Sequence, residues 1–350
     1  MTVLRPGQPV VNPHARRIVL AHGGGGQLTD ELLEEVIRPR LDNPWLADLD
    51  DSAVMAVEKG QLAFTTDSYV VQPLEFPGGD IGRLAVSGTV NDLAVCGAEA
   101  EYISLSLILE EGLELALLRR VLDSVAGTAG EAGVRVVTGD TKVVAKGQAD
   151  GMYINTAGVG RIRDGIRLGV SRIQPGDVVL VSGEIADHGL AVMLQREQRT
   201  VIRSELRSDV APLNGLIETL LDEIIEDVVF LRDPTRGGLA GVLSDLAERS
   251  GLHLMIDETA VPIRQETLYA AEMLGLDPLE VANEGKVVAV VRPEAAERAR
   301  AVVASHPQGR GASIVGRFQS ERNGLCEILT EVGGRRIIQK PYGEELPRIC

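Results

Sequence analysis

Aromatic residues are scarce. Phe, Trp and Tyr make up 3% of the 350 residues, so any core must be built from Val, Leu, Ile and Ala, with glycine permitting close approach. Cysteine is scarcer still. Cys96, Cys326 and Cys350 are too few for a disulfide framework, and their spacings match no zinc site. They suggest a reducing, cytoplasmic setting. No apolar run approaches the roughly 18 residues of a membrane span, and Met1 to Gly7 lacks the apolar stretch of a signal peptide. Positive charge is in deficit: 35 Lys and Arg against 51 Asp and Glu leave a formal charge of −16. That argues against a nucleic-acid partner, which would want basic stripes. The dinucleotide fingerprint GxGxxG and the P-loop GxxxxGK[ST] are both missing. An ATP user built this way would hold phosphates through metal-bound carboxylates and glycine loops.

What is present begins at the end. The chain stops on Cys350, within Pro341-Tyr-Gly-Glu-Glu-Leu-Pro-Arg-Ile-Cys350. Chain ends are mobile unless tied down, and ten extended residues reach on the order of 30 Å. The thiol could therefore carry cargo into a site built elsewhere. Upstream, His22-Gly-Gly-Gly-Gly26 is either a linker or a backbone that approaches an anion. Runs 53–57 and 62–66 predict a hairpin, with Asp51 brought opposite Asp67 or its neighbour. Carboxylates about 5 Å apart across strands need a proton, a base or a cation, and magnesium takes such oxygen ligands. A helix is expected from Ile81 to Val95, capped by Asp80, with Asp92 on its buried face. A strand over 134–138 runs into Gly139-Asp140-Thr141-Lys142, where Asp140 and Lys142 point the same way. The second half alternates strands and helices. Its helices are expected over 210–226, up to Arg249, and over 265–274. Arg232-Asp-Pro-Thr-Arg-Gly-Gly238 joins a strand to a helix N-terminus, a common anion site. His188 reads as a loop-anchoring histidine, and Cys96 and Cys326 as core residues.

These pieces together resemble the HypE family of hydrogenase maturation factors, in the superfamily of aminoimidazole ribonucleotide synthetase and selenophosphate synthetase. The resemblance rests on His22–Gly26, Asp50-Asp51-Ser52, Thr65–Val71, Gly78–Gly82, Gly88–Leu93, Thr138–Val143, Asp187-His188-Gly189, Asp233–Gly238, Asn283–Lys286 and the terminal Pro347–Cys350. It implies an α/β (α+β) fold with a two-domain, aminoimidazole ribonucleotide synthetase-like architecture. Residues 1–44 form an extension with a glycine-rich segment. Residues 45–165 form a nucleotide-binding and dimerisation domain, 172–340 a second α/β domain, and 341–350 a mobile tail. The implied activity is ATP-dependent dehydration of a carbamoyl group on Cys350 to a thiocyanate, which supplies cyanide for the nickel–iron hydrogenase centre. The implied partners are a second copy in a homodimer, the carbamoyltransferase HypF and the HypC–HypD iron scaffold.

By the same resemblance, Cys350, Lys142 and Glu284 are catalytic, with Glu284 the more natural base and Lys142 a base only if its pKa is lowered. ATP would contact Gly24, Gly25, Asp67, Asn91, Asp92, Gly139, Asp140, Thr141, Arg236 and Gly237. Magnesium would sit on Asp51, Asp67, Asp92 and Asp140. Two other readings remain open: a related ATP-dependent synthetase or kinase acting on a free small molecule such as selenide, and a non-enzymatic carrier that only binds partners through its tail.

Overall fold

Two sheets organise the chain, one in each half of a computed structural model that describes residues 26–32, 34–35, 53–56, 60–196, 205–341 and 348–350. The first half contains α1 (Gln27–Leu32), β1 (Ala53–Ala56), β2 (Gln61–Tyr69), β3 (Glu75–Phe76), β4 (Gly79–Asp80), α2 (Ile81–Val95), β5 (Ala98–Glu110), α3 (Leu115–Ala132), β6 (Arg135–Val144) and β7 (Met152–Ile162). Its main sheet has the order β1-β2-β7-β5-β6. Only the β5–β6 pair is parallel, and α3 supplies the crossover that such a pair requires.

Asp80 starts α2 as the sequence predicts: its carboxylate accepts from Gly82 N at 2.7 Å and Arg83 N at 3.0 Å. The helix lies against the sheet so closely that Gly88 faces Tyr69. A Cβ there would fall 2.3 Å from the tyrosine oxygen, so no larger residue fits without displacement. The strand β7 alternates buried and half-buried residues, the signature of a sheet covered on one face. On the other face Phe64, Tyr102 and Ile108 are 42%, 39% and 42% exposed.

The second half holds β8 (Val178–Val181), α4 (Asp187–Arg196), α5 (Asn214–Ile224), β9 (Val228–Arg232), α6 (Gly238–Ser250), β10 (Leu254–Asp257), α7 (Gln265–Leu274), β11 (Val288–Val291), α8 (Ala296–Ser305), β12 (Ser313–Phe318), β13 (Cys326–Leu329) and β14 (Arg335–Ile338). They form a seven-stranded sheet, β14-β13-β10-β12-β8-β11-β9. Here both faces are covered, so β8 (Val-Val-Leu-Val) and β11 (Val-Ala-Val-Val) are buried throughout. Val179 and Val181 pack with Leu239 and Leu243 of α6. Val178 and Leu180 pack with Leu216 and Leu220 of α5 and Val303 of α8.

The predicted helix over 210–226 begins four residues late, at Asn214. The preceding residues are extended because they bind the other domain. Ser208 N donates to Pro77 O at 2.7 Å, and Arg83 Nε to Val210 O at 2.9 Å. Asn91, expected at the nucleotide, is buried in this interface. Its amide donates to Ala211 O at 3.1 Å and accepts from Leu213 N at 2.7 Å. Asn91→Ala would strand both backbone groups away from water. It is expected to cost about 1–3 kcal/mol, seen as a lower urea midpoint with an unchanged slope.

Candidate active site

The last three described residues are seated, not free. Cys350 O accepts from Val70 N at 3.1 Å and Arg348 O from Gln72 N at 3.3 Å, so the terminus pairs in antiparallel sense with the chain just beyond β2. Ile349 is 2% exposed and joins the cluster of Tyr69, Val71, Leu190 and Val281, with Cys350 packed against its edge. Burying one such side chain is worth about 2 kcal/mol. Arg348, at φ +58°, reaches Val70 O with Nε at 3.1 Å and pairs with Asp150. Arg196, at the end of α4, donates to the carbonyls of Gln72 and Arg348. A terminal thiol free to travel is what the sequence alone suggests; in this structure Cys350 is held along the chain just beyond β2, at the edge of the Tyr69 and Val71 cluster.

The strand β2 supplies the next layer. Thr65, Asp67 and Tyr69 lie two apart and share the inner face. Thr65 Oγ1 donates to Asp92 Oδ2 at 2.8 Å, and Tyr69 Oη donates to Asp67 Oδ2 at 3.0 Å. Tyr69 is 3% exposed. Burial, then the charges of Asp67 and Asp92, push its pKa well above the usual tyrosine value, while a hydrogen bond with Thr89 opposes them. It stays a neutral donor at any physiological pH.

The second domain brings Glu284 and Arg236. Glu284 is 3% exposed, and its Oε1 has no hydrogen-bond partner. Desolvation raises its pKa well above the ordinary range. The charges of Asp233, Asp209 and Asp67 add to that, and Arg236 opposes it. The loop is fixed by Asn283, fully buried, which donates to Pro234 O at 2.9 Å and accepts from Ala186 N at 2.7 Å. The backbone N of Glu284 donates to Asp209 Oδ1 at 3.1 Å, and Lys286 pairs with Asp209 at 3.1 Å. Arg236 stands before the turn into α6, where Gly237 and Gly238 have φ +80° and +61°. A Cβ on Gly238 would meet Leu279 O at 2.5 Å. The Arg236 residue is open to solvent, yet its guanidinium is flanked by negative groups. The charge at Cys350 raises its pKa most, against desolvation, with Asp67, Glu284 and Tyr69 adding to the rise. The charges of the terminal cysteine, the inner-face aspartate and the buried glutamate thus all act on Arg236.

Asp140 and Lys142 stand elsewhere. They form an ion pair at 2.7 Å on the edge strand β6, where both side chains are more than half exposed. Lys142 and Thr141 hydrogen bonds hold the Asp140 pKa low. Register explains the separation. Asp140 pairs across the sheet with Ser106, which pairs with Asn155 and, beyond it, Ser68. Asp67 shares its row with Thr156, Leu105 and Gly139. Adjacent rows point to opposite faces, so Gly139 and Thr141 share the inner face with Asp67, and Asp140 and Lys142 face outward. No hydrogen bond or ion pair joins Lys142 to Glu284 in the described chain. Asp51, Gly24 and Gly25 lie outside the described residues. Among the described residues no three metal-binding side chains converge. Asp67 and Asp92, which both act on the Tyr69 hydroxyl, offer the one or two hard carboxylates that magnesium uses alongside nucleotide phosphates.

Models of AIR synthase related proteins match both halves: the N-terminal domain over residues 49–162 and the C-terminal domain over 174–325. The carbamoyl dehydratase HypE of Rhizobium leguminosarum bv. viciae is 46% identical over 334 residues, covering 95% of each chain. The chain belongs to the HypE family. A solved HypE in complex with ATP is 44% identical, with TM-score 0.80, over 94% of this chain and 98% of that one. A HypE from a HypE–HypF complex is also 44% identical, with TM-score 0.83, over 89% and 99%. Within this family frame, the site holds residues to which the sequence analysis gave no role. Tyr69 and Asp233 lie inside motifs that carried the resemblance. Asp209 and Arg196 lie in no motif, and only the folded chain brings them in.

Proposed function

We propose that the protein dehydrates a carboxamide carried on the Cys350 thiol to a thiocyanate, using ATP. The observation that carries this reading is the seating of the terminal residue along the chain just beyond β2, where its charge acts on Arg236 together with those of Asp67 and Glu284. A carboxamide oxygen is a poor leaving group. Transfer of the γ-phosphoryl group of ATP to that oxygen makes a C–O–P linkage as one N–H proton departs. The C–O bond then breaks, phosphate leaves, and removal of the second N–H proton completes C≡N. Glu284 is the base: a carboxylate raised by burial accepts a proton more readily near neutral pH than an ordinary one. Arg236 steadies the departing phosphate, and Gly237 and Gly238 let backbone approach it. Asp67 and Asp92, with Asp51 and with Asp140 reaching in from a second copy of the chain, would hold magnesium, which neutralises nucleotide charge. Gly24, Gly25, Gly139 and Thr141 complete the nucleotide contacts.

The outward face of the first sheet gives Asp140 and Lys142 a route into the reaction. Its exposed Phe64, Tyr102 and Ile108 suit a second copy of the chain, and in such a homodimer Lys142 acts across the interface. Ile108→Asp is expected to convert the dimer to monomer at micromolar concentration and to lower turnover at least tenfold. Sedimentation velocity and ADP release check the two effects. A HypF-type carbamoyltransferase supplies the carbamoyl group, and a HypC–HypD iron scaffold in the cytoplasm receives cyanide. The proposed reaction predicts ADP formation only with a carbamoylated tail. ADP released equally fast by the unmodified protein would contradict it.

A further inference from the structure

His188 has no part in the chemistry above, yet it is fully buried at the first turn of α4. Its Nε2 lies 2.9 Å from Ile349 O, and its Nδ1 lies 2.8 Å from Ser208 Oγ. The carbonyl can only accept, so Nε2 carries the proton and Nδ1 takes the Ser208 hydroxyl proton. Ser208 Oγ in turn accepts from Val210 N at 3.0 Å. One tautomer satisfies every group. Burial lowers the pKa of the ring, in keeping with that neutral form. Phe76 packs edge-on at 5.4 Å between ring centroids, which fixes the ring plane. The same helix supplies Arg196, eight residues on, which holds the carbonyl of Arg348. Ser208 is itself pinned to Pro77, so the chain of bonds runs from the domain interface to the last peptide.

We propose that His188 is the positioning residue for the terminal cysteine: its bond to the Ile349 carbonyl holds Cys350 against the chain just beyond β2 and sets how long the thiol dwells there. A tail that loads elsewhere must let go, so this bond is tuned to hold and release. The claim about dwell time stands apart from the dehydration reaction. Its consequence for catalysis rests on that reading.

Iodoacetamide alkylation of the full-length protein tests it, with peptide mass spectrometry resolving each cysteine. Cys326, 2% exposed and with its pKa pushed up to about 12 by burial, reports loosening of the fold. His188→Ala is expected to speed Cys350 alkylation about tenfold, the loss of roughly one buried hydrogen bond, with Cys326 still protected. His188→Gln, whose amide donates at similar reach, is expected to restore the rate to within about threefold. Ser208→Ala is expected to speed it about threefold, through the weakened Nδ1 bond. If the alanine variant does not fold, the glutamine and Ser208 variants still decide. An unchanged Cys350 rate, a glutamine variant no better than alanine, or equal rises at Cys350 and Cys326 would overturn the proposal. In the catalytic arm, His188→Ala should slow dehydration while leaving carbamoyl loading as fast or faster. A purely structural residue would slow both. Altered alkylation with no thiocyanate formed even by wild type would keep the positioning role and reject the reaction.

Discussion

Cys350→Ala will form no carbamoylated protein and no thiocyanate, while ATP affinity stays within about twofold of wild type. The expected loss is complete because the sulfur is the atom that bears the cargo, and no other thiol stands in the site. Cys96 packs at the edge of a separate cluster near the end of α2, and Cys326 is buried within the second sheet. The binding half of the prediction follows from the division of labour. Arg236, Asp67 and Asp92 are anchored by the turn into α6, by β2 and by α2, and none depends on the sulfur for its position. Serine at 350 would keep the terminal hydrogen bonds and still fail, since an oxygen ester cannot yield a thiocyanate. Mass spectrometry of the C-terminal peptide reads the first effect and isothermal titration with ATP the second.

Glu284→Gln will lower the dehydration rate by about 10²–10⁴-fold, the usual contribution of a general base. Carbamoyl loading, which does not use this carboxylate, should persist. Two further readouts separate a base from a structural residue. In wild type the rate should climb with pH as Glu284 loses its proton, over a range above that of ordinary carboxylates, because burial and then Asp233, Asp209 and Asp67 hold the proton on. The glutamine variant should lose that limb. Stability should move the other way. A carboxyl whose pKa is higher folded than unfolded gives the folded state an advantage only while protonated in both states. That advantage is lost as pH rises from the unfolded value through the folded one. Glutamine carries no charge to desolvate, so the variant should melt at a higher temperature than wild type above that range. A catalytic loss paired with a stability gain is the mark of a group kept for its chemistry.

Much of this site could be read from the chain alone, but not its grouping. Asp80 announced the start of α2, and the run after Arg264 gave α7 over 265–274. Glycine at 237 and 238 signalled the sharp entry to α6, since both take positive φ. These are local signals, written within a few residues. The inner-face set of Thr65, Asp67 and Tyr69 follows the period of a strand. Which other acids join it depends on register between strands far apart in sequence, and that is why Asp140 and Lys142 stand on the opposite face from Asp67. The extended run before Asn214 was hidden for a similar reason. Its partners Pro77, Arg83 and Asn91 lie about a hundred residues upstream or more, and a helical pattern of apolar residues there said nothing of them. His188 shows the limit most plainly. Its sequence neighbours suggested an anchor for a loop, and the structure shows that what it anchors is the end of the chain.

The terminal sulfur is expected to carry a carboxamide that loses water at this site. The direct measurement is the mass of the C-terminal peptide after loading by a carbamoyl donor enzyme, before and after ATP. The expected change is a loss of about 18 Da, one water, from the loaded peptide, dependent on Cys350 and Glu284. A loaded peptide whose mass ATP leaves unaltered, in protein shown to bind the nucleotide, would contradict the account.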